Sequence, residues 1–254
     1  MTANPHAPFL IERGSGAVVV FTHGFMGSPA QLRPFAERVA AAGYSAAGLL
    51  LPGHGGTAAE FAASTASDWR VHVRRAVAKF SKEYRAVILA GHSIGGTLSL
   101  ETAARTGCVR GVFLLNPAVV LRGAGLGAVP YVASLGLRSK SDAKRRAYDD
   151  GTSVRSAAVR PHAVAPPYAE VLRLVSGARH SYRRVTAPVA AVFSRRDETV
   201  SLRGRDLLRR ELPSPPEILT LERSSHGFYT VPERIIAERA LLRFVRKCAD
   251  SEES

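Results

Sequence analysis

Several features are scarce or missing in this chain of 254 residues. Its 2 cysteines are too few for a disulfide framework. No window approaches the ~18 uninterrupted apolar residues that cross a bilayer. The first residues lack the basic start and apolar core of a secretory signal. Internal repeats and low-complexity linkers are absent as well. We therefore expect a soluble, cytoplasmic protein.

Charge of one sign is in excess, with a formal net charge of +14. Residues 138–184 hold 11 Lys and Arg against 4 Asp and Glu. Nucleic-acid binding would pair such charge with a recognition helix or an aromatic platform, and the tyrosines here are scattered. We expect a solvated arginine-rich face and no nucleic-acid partner. The alternative is a weak contact of this face with a lipid surface or with acidic substrates.

Strand-like and helix-like patterns alternate along the chain. Short buried runs predict strands at Ala17–Thr22, Tyr44–Leu51, Ala86–Ala90, Val112–Leu115, Val189–Phe193 and Glu217–Leu221. Helical patterns lie at Pro29–Ala42, Ala66–Glu83, Ile94–Thr106, Leu202–Leu212 and Pro232–Cys248. Such alternation predicts an α/β fold with a mostly parallel, doubly wound sheet. Ligand sites of these sheets lie beyond the carboxyl ends of the strands.

One segment, residues 118–185, interrupts this alternation because it contains no clear strand. A structureless loop of that length would be unusual in a compact domain. We therefore predict a small helical lid (cap) insertion over the strand ends, built from two or three short helices. The core would comprise residues 1–117 and 186–254.

The segment Gly91–Gly95 reads GHSIG and fits the pattern G-x-S-x-G. It directly follows a predicted strand and opens a predicted helix, as a nucleophile elbow requires. Ser93 is therefore the candidate nucleophile, and Gly91 and Gly95 are expected to avoid collisions across the sharp turn. The alternative is a serine that only caps a helix.

A serine needs a base, and the base needs an orienting acid. His226 lies between the last predicted strand and the last predicted helix, which suits the chain order Ser…Asp…His. Asp197 follows another strand and is the candidate acid, with Glu198 as its nearest competitor. The backbone N–H groups of Ile94 and Phe25 are the candidate oxyanion-hole donors.

His23, which directly follows the first predicted strand, has another expected role. We expect His23 to support its loop by hydrogen bonding. The alternative is that it acts as a second base.

Neither a metal nor an organic cofactor is expected, because no Cys/His cluster has metal-ligand spacing.

Five motifs resemble those of the bacterial carboxylesterase and monoacylglycerol lipase branch of the α/β-hydrolases. They are HGFMGSP, LPGHG, GHSIGG, RRDETV and SSHGF, at His23–Pro29, Leu51–Gly55, Gly91–Gly96, Arg195–Val200 and Ser224–Phe228. The resemblance implies the α/β-hydrolase fold and, as substrates, short-to-medium acyl esters or monoacylglycerols. It also suggests substrate contacts from Met26, His54 and His92, with a structural role as the alternative for His54.

Other functions remain open from the sequence. A thioesterase acting on coenzyme A or carrier-protein thioesters would use the same three residues. Hydrolases of amides, lactones or C–C bonds would use them too. A non-catalytic binding protein of this fold is a further alternative, although it has no need for nucleophile, base, acid and donor loop together.

Overall fold

The computed structural model describes residues 4, 6–14, 16–122 and 161–250. Within them, seven strands form one sheet in the order β1-β3-β2-β4-β5-β6-β7. β1 runs antiparallel to β3, and the other neighbouring strands are parallel. The predicted α/β-hydrolase fold class is confirmed. The strands are β1 Phe9–Ile11, β2 Ala17–Thr22, β3 Ser45–Leu49, β4 Ala86–His92, β5 Val109–Leu115, β6 Val189–Ser194 and β7 Glu217–Leu221.

Helices cover both faces of this sheet. They are α1 Arg33–Ala41, α2 Ala58–Ala63, α3 Ala66–Glu83, α4 Ile94–Ala103, α5 Pro161–Ala178, α6 Arg203–Glu211 and α7 Val231–Asp250. Short 3-10 helices precede α1 at Pro29–Leu32 and follow α5 at Arg179–Arg184. None of the described helices is long and apolar enough to cross a membrane.

Strand β2 shows that the sheet is covered on both faces. All six residues of β2 are buried, so both of its faces contact other elements. Val18 and Val20 pack in one cluster with Trp69 of α3. Val19 packs on the other side, in a cluster with Leu241 of α7. The strand therefore serves two hydrophobic cores, as its uninterrupted apolar sequence predicts.

A capping box and a buried stripe explain where α3 begins and which of its faces packs on the core. Its first residue follows Thr65, whose hydroxyl accepts from the Asp68 amide at 3.2 Å, while the Asp68 carboxylate accepts from the Thr65 amide at 3.1 Å. This capping box fixes the start of the helix. Trp69, Val73 and Val77 then recur every four residues and are fully buried.

Some elements differ from the sequence predictions. The predicted helix Pro29–Ala42 is divided into a 3-10 turn and α1. The strand predicted at Tyr44–Leu51 is shorter, since β3 covers Ser45–Leu49. β1 and α2 were not predicted, because three and six residues carry too little periodicity to stand out.

The predicted lid is described only in part. Residues 123–160 lie outside the described residues. α5, at 18 residues, is longer than the short helices predicted there. Its side chains Val171, Leu174 and Ala178 are buried in the same cluster as the α4 residue Leu98. The second half of α5 thus packs against the body of the protein, and the division into core and lid stays a prediction.

Candidate active site

Ser93 occupies a sharp turn between β4 and α4. Its backbone has φ +53° and ψ −120°, a conformation that costs a non-glycine residue about 1–3 kcal/mol. A Cβ at Gly91 would lie 2.3 Å from the Gly95 carbonyl oxygen. A Cβ at Gly95 would lie 2.1 Å from the Thr22 carbonyl oxygen. The turn can therefore form only with glycine at both positions, as the motif suggested.

A continuous chain of hydrogen bonds joins Ser93, His226 and Asp197. His226 Nδ1 donates to Asp197 Oδ2 at 2.8 Å, which leaves Nε2 unprotonated in the neutral ring. Ser93 Oγ lies 3.0 Å from this Nε2 and donates to it. A hydroxyl, an imidazole and a carboxylate in this order are arranged for removal of the hydroxyl proton. Three residues predicted from separate motifs are thus brought together.

Asp197 is held as a carboxylate by its surroundings. Its Oδ1 accepts from the amides of Thr199 and Val200 at 2.8 and 2.6 Å. Burial alone would raise the pKa of the Asp197 carboxyl, but the bond to His226 and these two amides lower it below its ordinary value. Glu198, the competing acid, is exposed, and its carboxylate accepts from the backbone N–H of His226 at 3.2 Å.

Asn116, which sequence reasoning missed, fixes the loop that carries His226. Its Oδ1 accepts from the Ser194 amide at 2.7 Å, and its Nδ2 donates to the carbonyls of Ser225 and His226 at 3.2 and 3.0 Å. The side chain is buried, and its φ is +43°. Asparagine tolerates this left-handed conformation better than most residues. An asparagine directly after the buried strand β5 was the available signal.

Glu233, in the first turn of α7, was also missed. Its carboxylate accepts from the amides of Glu222, Arg223 and Ser224 at 2.7–3.1 Å, and from the Ser224 hydroxyl at 2.5 Å. Burial would raise the pKa of this carboxyl, but these donors lower it. Glu233 therefore fixes the start of the His226 loop, while Asn116 holds its middle.

The two candidate oxyanion donors lie on either side of Ser93. Ile94 is the first residue of α4, where a backbone N–H has no acceptor within the helix. The loop holding Phe25 approaches closely, since a Cβ at Gly24 would lie 3.1 Å from Ser93 Cβ. Met26, a predicted substrate contact, follows in this loop with φ +60°. The roles of all three stay predictions.

His23 joins this loop to the one that follows β3. The Leu51 amide donates to His23 Nε2 at 3.0 Å, so Nδ1 carries the proton and donates to the Gly24 carbonyl at 2.8 Å. Burial, followed by the effect of nearby His54, lowers the pKa of His23 well below its ordinary value. Both ring nitrogens are engaged, in keeping with the loop-supporting role expected from the sequence.

His54 lies in an aromatic cluster next to this loop. Its ring centroid is 5.0 Å from that of Phe61, 5.9 Å from Trp69 and 6.3 Å from Phe25. The residue is 3% exposed, and burial lowers its pKa to about 4. Its Nδ1 donates to the Pro52 carbonyl at 3.2 Å. Packing explains much of its presence, and its contact with substrate stays a prediction.

His92 lies directly behind the candidate base. Its Nε2 donates to the His226 carbonyl at 2.8 Å, and the two ring centroids are 4.8 Å apart. Burial lowers the pKa of His92 to about 3, so the ring is neutral at physiological pH. His92 thus supports the His226 backbone, and its contact with substrate stays a prediction. In the described part of the chain, no group of three His, Cys, Asp or Glu residues could hold a metal ion.

The chain is similar to known lipolytic enzymes in both sequence and structure. The chain is 27% identical over 248 residues to a thermostable monoacylglycerol lipase of Bacillus sp. (strain H-257), with 94% of each chain covered. A solved structure from work on LipS and LipT, two metagenome-derived lipolytic enzymes, has a TM-score of 0.77 at 29% identity. That match covers 96% of this chain and 98% of the other.

The monoacylglycerol lipase of Paleococcus ferrophilus shares the fold, with a TM-score of 0.72 at 16% identity over 95% of this chain and 98% of its own. These likenesses indicate a hydrolase of the lipase/esterase type. A model of the alpha/beta hydrolase family matches residues 19–238, and this match over most of the chain shows that the protein belongs to the alpha/beta hydrolase family.

Proposed function

We propose that this protein hydrolyses carboxylic esters through an acyl-serine intermediate on Ser93. The observation that carries the proposal is the unbroken hydrogen-bonded chain from Ser93 Oγ through His226 to Asp197 Oδ2. The substrates would be esters with short-to-medium acyl chains, or monoacylglycerols. The lipolytic relatives support this class, since one is a monoacylglycerol lipase that matches the chain along nearly all of its length.

In the first half of the reaction, Ser93 Oγ attacks the ester carbonyl carbon while its proton passes to His226 Nε2. The backbone N–H groups of Ile94 and Phe25 bind the tetrahedral oxyanion, and each such donor contributes about 10²–10³ to the rate. Asp197 stabilises the imidazolium. The imidazolium then gives its proton to the leaving alkoxide oxygen, and the alcohol departs.

In the second half, water replaces the alcohol. His226 Nε2 takes a proton from the water as its oxygen attacks the acyl carbon. When the second tetrahedral intermediate breaks down, Ser93 Oγ leaves and recovers the proton from His226, and the carboxylic acid is released. Every proton transfer uses the one nitrogen that lies 3.0 Å from Ser93 Oγ.

The test is a series of p-nitrophenyl esters from acetate to palmitate together with a monoacylglycerol. We expect wild type to show a rate maximum at one chain length and Ser93→Ala to lose activity by about 10⁴-fold or more. Ser81→Ala, whose serine lies in α3 and donates to the Ala78 carbonyl, is the matched control and should retain the wild-type rate.

A fluorophosphonate probe separates mechanism from substrate choice. Wild type and Ser81→Ala should be labelled, and Ser93→Ala should not. A labelled wild type that cleaves no ester would refute the ester class while leaving the serine mechanism. An unlabelled wild type, or a labelled Ser93→Ala variant, would overturn the assignment of the nucleophile.

A further inference from the structure

An apolar patch lies at the start of α7, beside the candidate active site. Phe228, Val231, Ile235 and Ile236 are 66%, 61%, 39% and 45% exposed. Among the described residues, the other large apolar side chain with comparable exposure is Leu10 at the far edge of the sheet. Clustered exposed apolar side chains mark interaction surfaces. We call these four residues, three in the first turns of the helix and Phe228 in the loop just before it, the apolar end of α7.

Three arginines lie farther along the exposed face of this helix. With Arg38 of α1, they surround Leu242 and line an open depression of about 320 Å³. All four arginines are exposed. We call this group the arginine cluster, and its members are Arg38, Arg239, Arg243 and Arg246.

The arginine cluster forms no ion pair with the described residues. Among the described residues, none of its members has a carboxylate oxygen within 4.0 Å. Other arginines of the same two helices do have one, since Arg33 lies 3.2 Å from Glu37 and Arg234 lies 3.4 Å from Glu238. The cluster therefore carries a net excess of positive charge, with four guanidinium groups against the exposed carboxylate of Asp250 one turn beyond Arg246, and it would attract anionic groups.

The two features face the same side of α7. Val231, Ile235, Arg239, Leu242 and Arg246 recur at intervals of three or four residues and form one stripe along the helix. At 1.5 Å per residue the stripe is about 22 Å long. The opposite side of the helix is buried in the protein core and includes Ala237, Leu241, Phe244 and Cys248.

We propose that the outer face of α7, together with Arg38, docks on an anionic lipid surface. The arginine cluster would bind lipid phosphates, for which guanidinium groups are well suited. The apolar end would enter the boundary between headgroups and acyl chains, as amphipathic helices do. Phe228 follows His226 by two residues, so this docking would place the candidate active site next to the lipid. The surface is distinct from the arginine-rich segment 138–184, where Arg179 and Arg183 are paired with Glu211.

The first experiment measures sedimentation of the full chain with vesicles of phosphatidylcholine, with and without phosphatidylglycerol, at low salt. We expect wild type to bind the anionic vesicles and Arg239→Glu/Arg243→Glu/Arg246→Glu to bind at least ~100-fold more weakly, at about fivefold per arginine. The matched control is Arg75→Glu/Lys79→Glu/Lys82→Glu on α3. It changes the net charge by the same amount on the other side of the sheet.

The control distinguishes binding by the arginine cluster from attraction by the net charge of the whole protein. If both triple variants lose binding equally, attraction by the overall charge accounts for it, and the proposal is overturned. It is also overturned if the α7 variant binds like wild type. Saturation by inorganic polyphosphate, with no binding to anionic vesicles, would assign the cluster to a soluble polyanion instead.

The apolar end has a separate test. Val231→Ser/Ile235→Ser should weaken vesicle binding about tenfold, because two partly inserted aliphatic side chains are lost. Circular dichroism melting confirms that the variant is folded. Unchanged vesicle binding by a folded variant would contradict insertion. Sedimentation requires no turnover, so these results stand whether or not the proposed ester hydrolysis holds.

Discussion

Replacement of Asn116 tests whether the His226 loop is held by one buried side chain. In Asn116→Gly, the buried Ser194 amide and the Ser225 carbonyl lose their side-chain partner. A buried polar group without a partner costs about 1–3 kcal/mol, so we expect the free energy of unfolding to fall by about 3 kcal/mol. Asn116→Ala should lose ~1 kcal/mol more, because its Cβ is strained at φ +43° whereas glycine is not.

The same replacement should impair catalysis. Asn116 donates to the carbonyl of His226, whose ring must stay within 3.0 Å of Ser93 Oγ. A displacement of about 1 Å at a reacting group can cost ~100-fold in rate. We expect kcat on the best p-nitrophenyl ester to fall by that order in both variants, with KM changed much less.

Urea denaturation and steady-state kinetics measure the two effects, and Ser45→Ala provides the control. Ser45 is also buried, and its hydroxyl joins the Arg13 amide to the Gly14 carbonyl at the amino end of β3. Its loss should lower stability and leave kcat unchanged. Asn116→Gly with wild-type stability and kcat would refute the reasoning, and equal stability of Asn116→Gly and Asn116→Ala would refute the backbone argument.

Three further predictions follow from the site. Asp197→Asn should lower kcat by about 10⁴-fold, because the amide favours the wrong tautomer of the base; steady-state kinetics would show a smaller loss if the carboxylate only caps a turn. Burial lowers the pKa of His54 to about 4 and that of His92 to about 3. Between pH 7 and 5 the unfolded chain therefore binds protons that the folded protein does not, and these two rings alone should cost about 4 kcal/mol of stability over this range. Urea denaturation should show at least this loss, because the pKa of buried His23 is lowered too. Constant stability would contradict their burial as neutral rings. Gly24→Ala would place a Cβ 2.7 Å from His92 Nδ1 and should lower kcat by ~100-fold, while Gly107→Ala, where nothing lies within 4 Å, should not.

Local patterns were enough to predict six of the seven described strands and the three polar side chains at their ends. β2 and β7 have the predicted bounds, since β2 lies between Gly16 and Gly24 and β7 begins directly after Pro216. Ser93 could be found because its motif, its strand and its helix are contiguous in sequence. His226 and Asp197 followed from their positions just after other predicted strands, which a parallel sheet brings to one edge.

The supporting residues could not be predicted in this way. Asn116 bonds to Ser194, 78 residues later, and to His226, 110 residues later. Such hydrogen-bonded pairs form only between elements that are neighbours in the sheet. The order of the strands cannot be deduced from any local sequence pattern. α2 is a different case, because Thr57 and Glu60 form a capping box whose T-x-x-E signature was present in the sequence.

The two sides of α7 differ in function: the buried side supports the candidate active site, and the exposed side is the proposed lipid-binding surface. Glu233, on the buried side, binds three amides of the loop before His226. The outer side bears the apolar end and the arginine cluster. A helix anchored in the core through Leu241 and Phe244 does not need to move when its outer face meets a lipid. Docking would therefore bring the candidate active site close to the lipid without changing its geometry. The hydrolysis of a water-soluble ester should accordingly not depend on the arginine cluster.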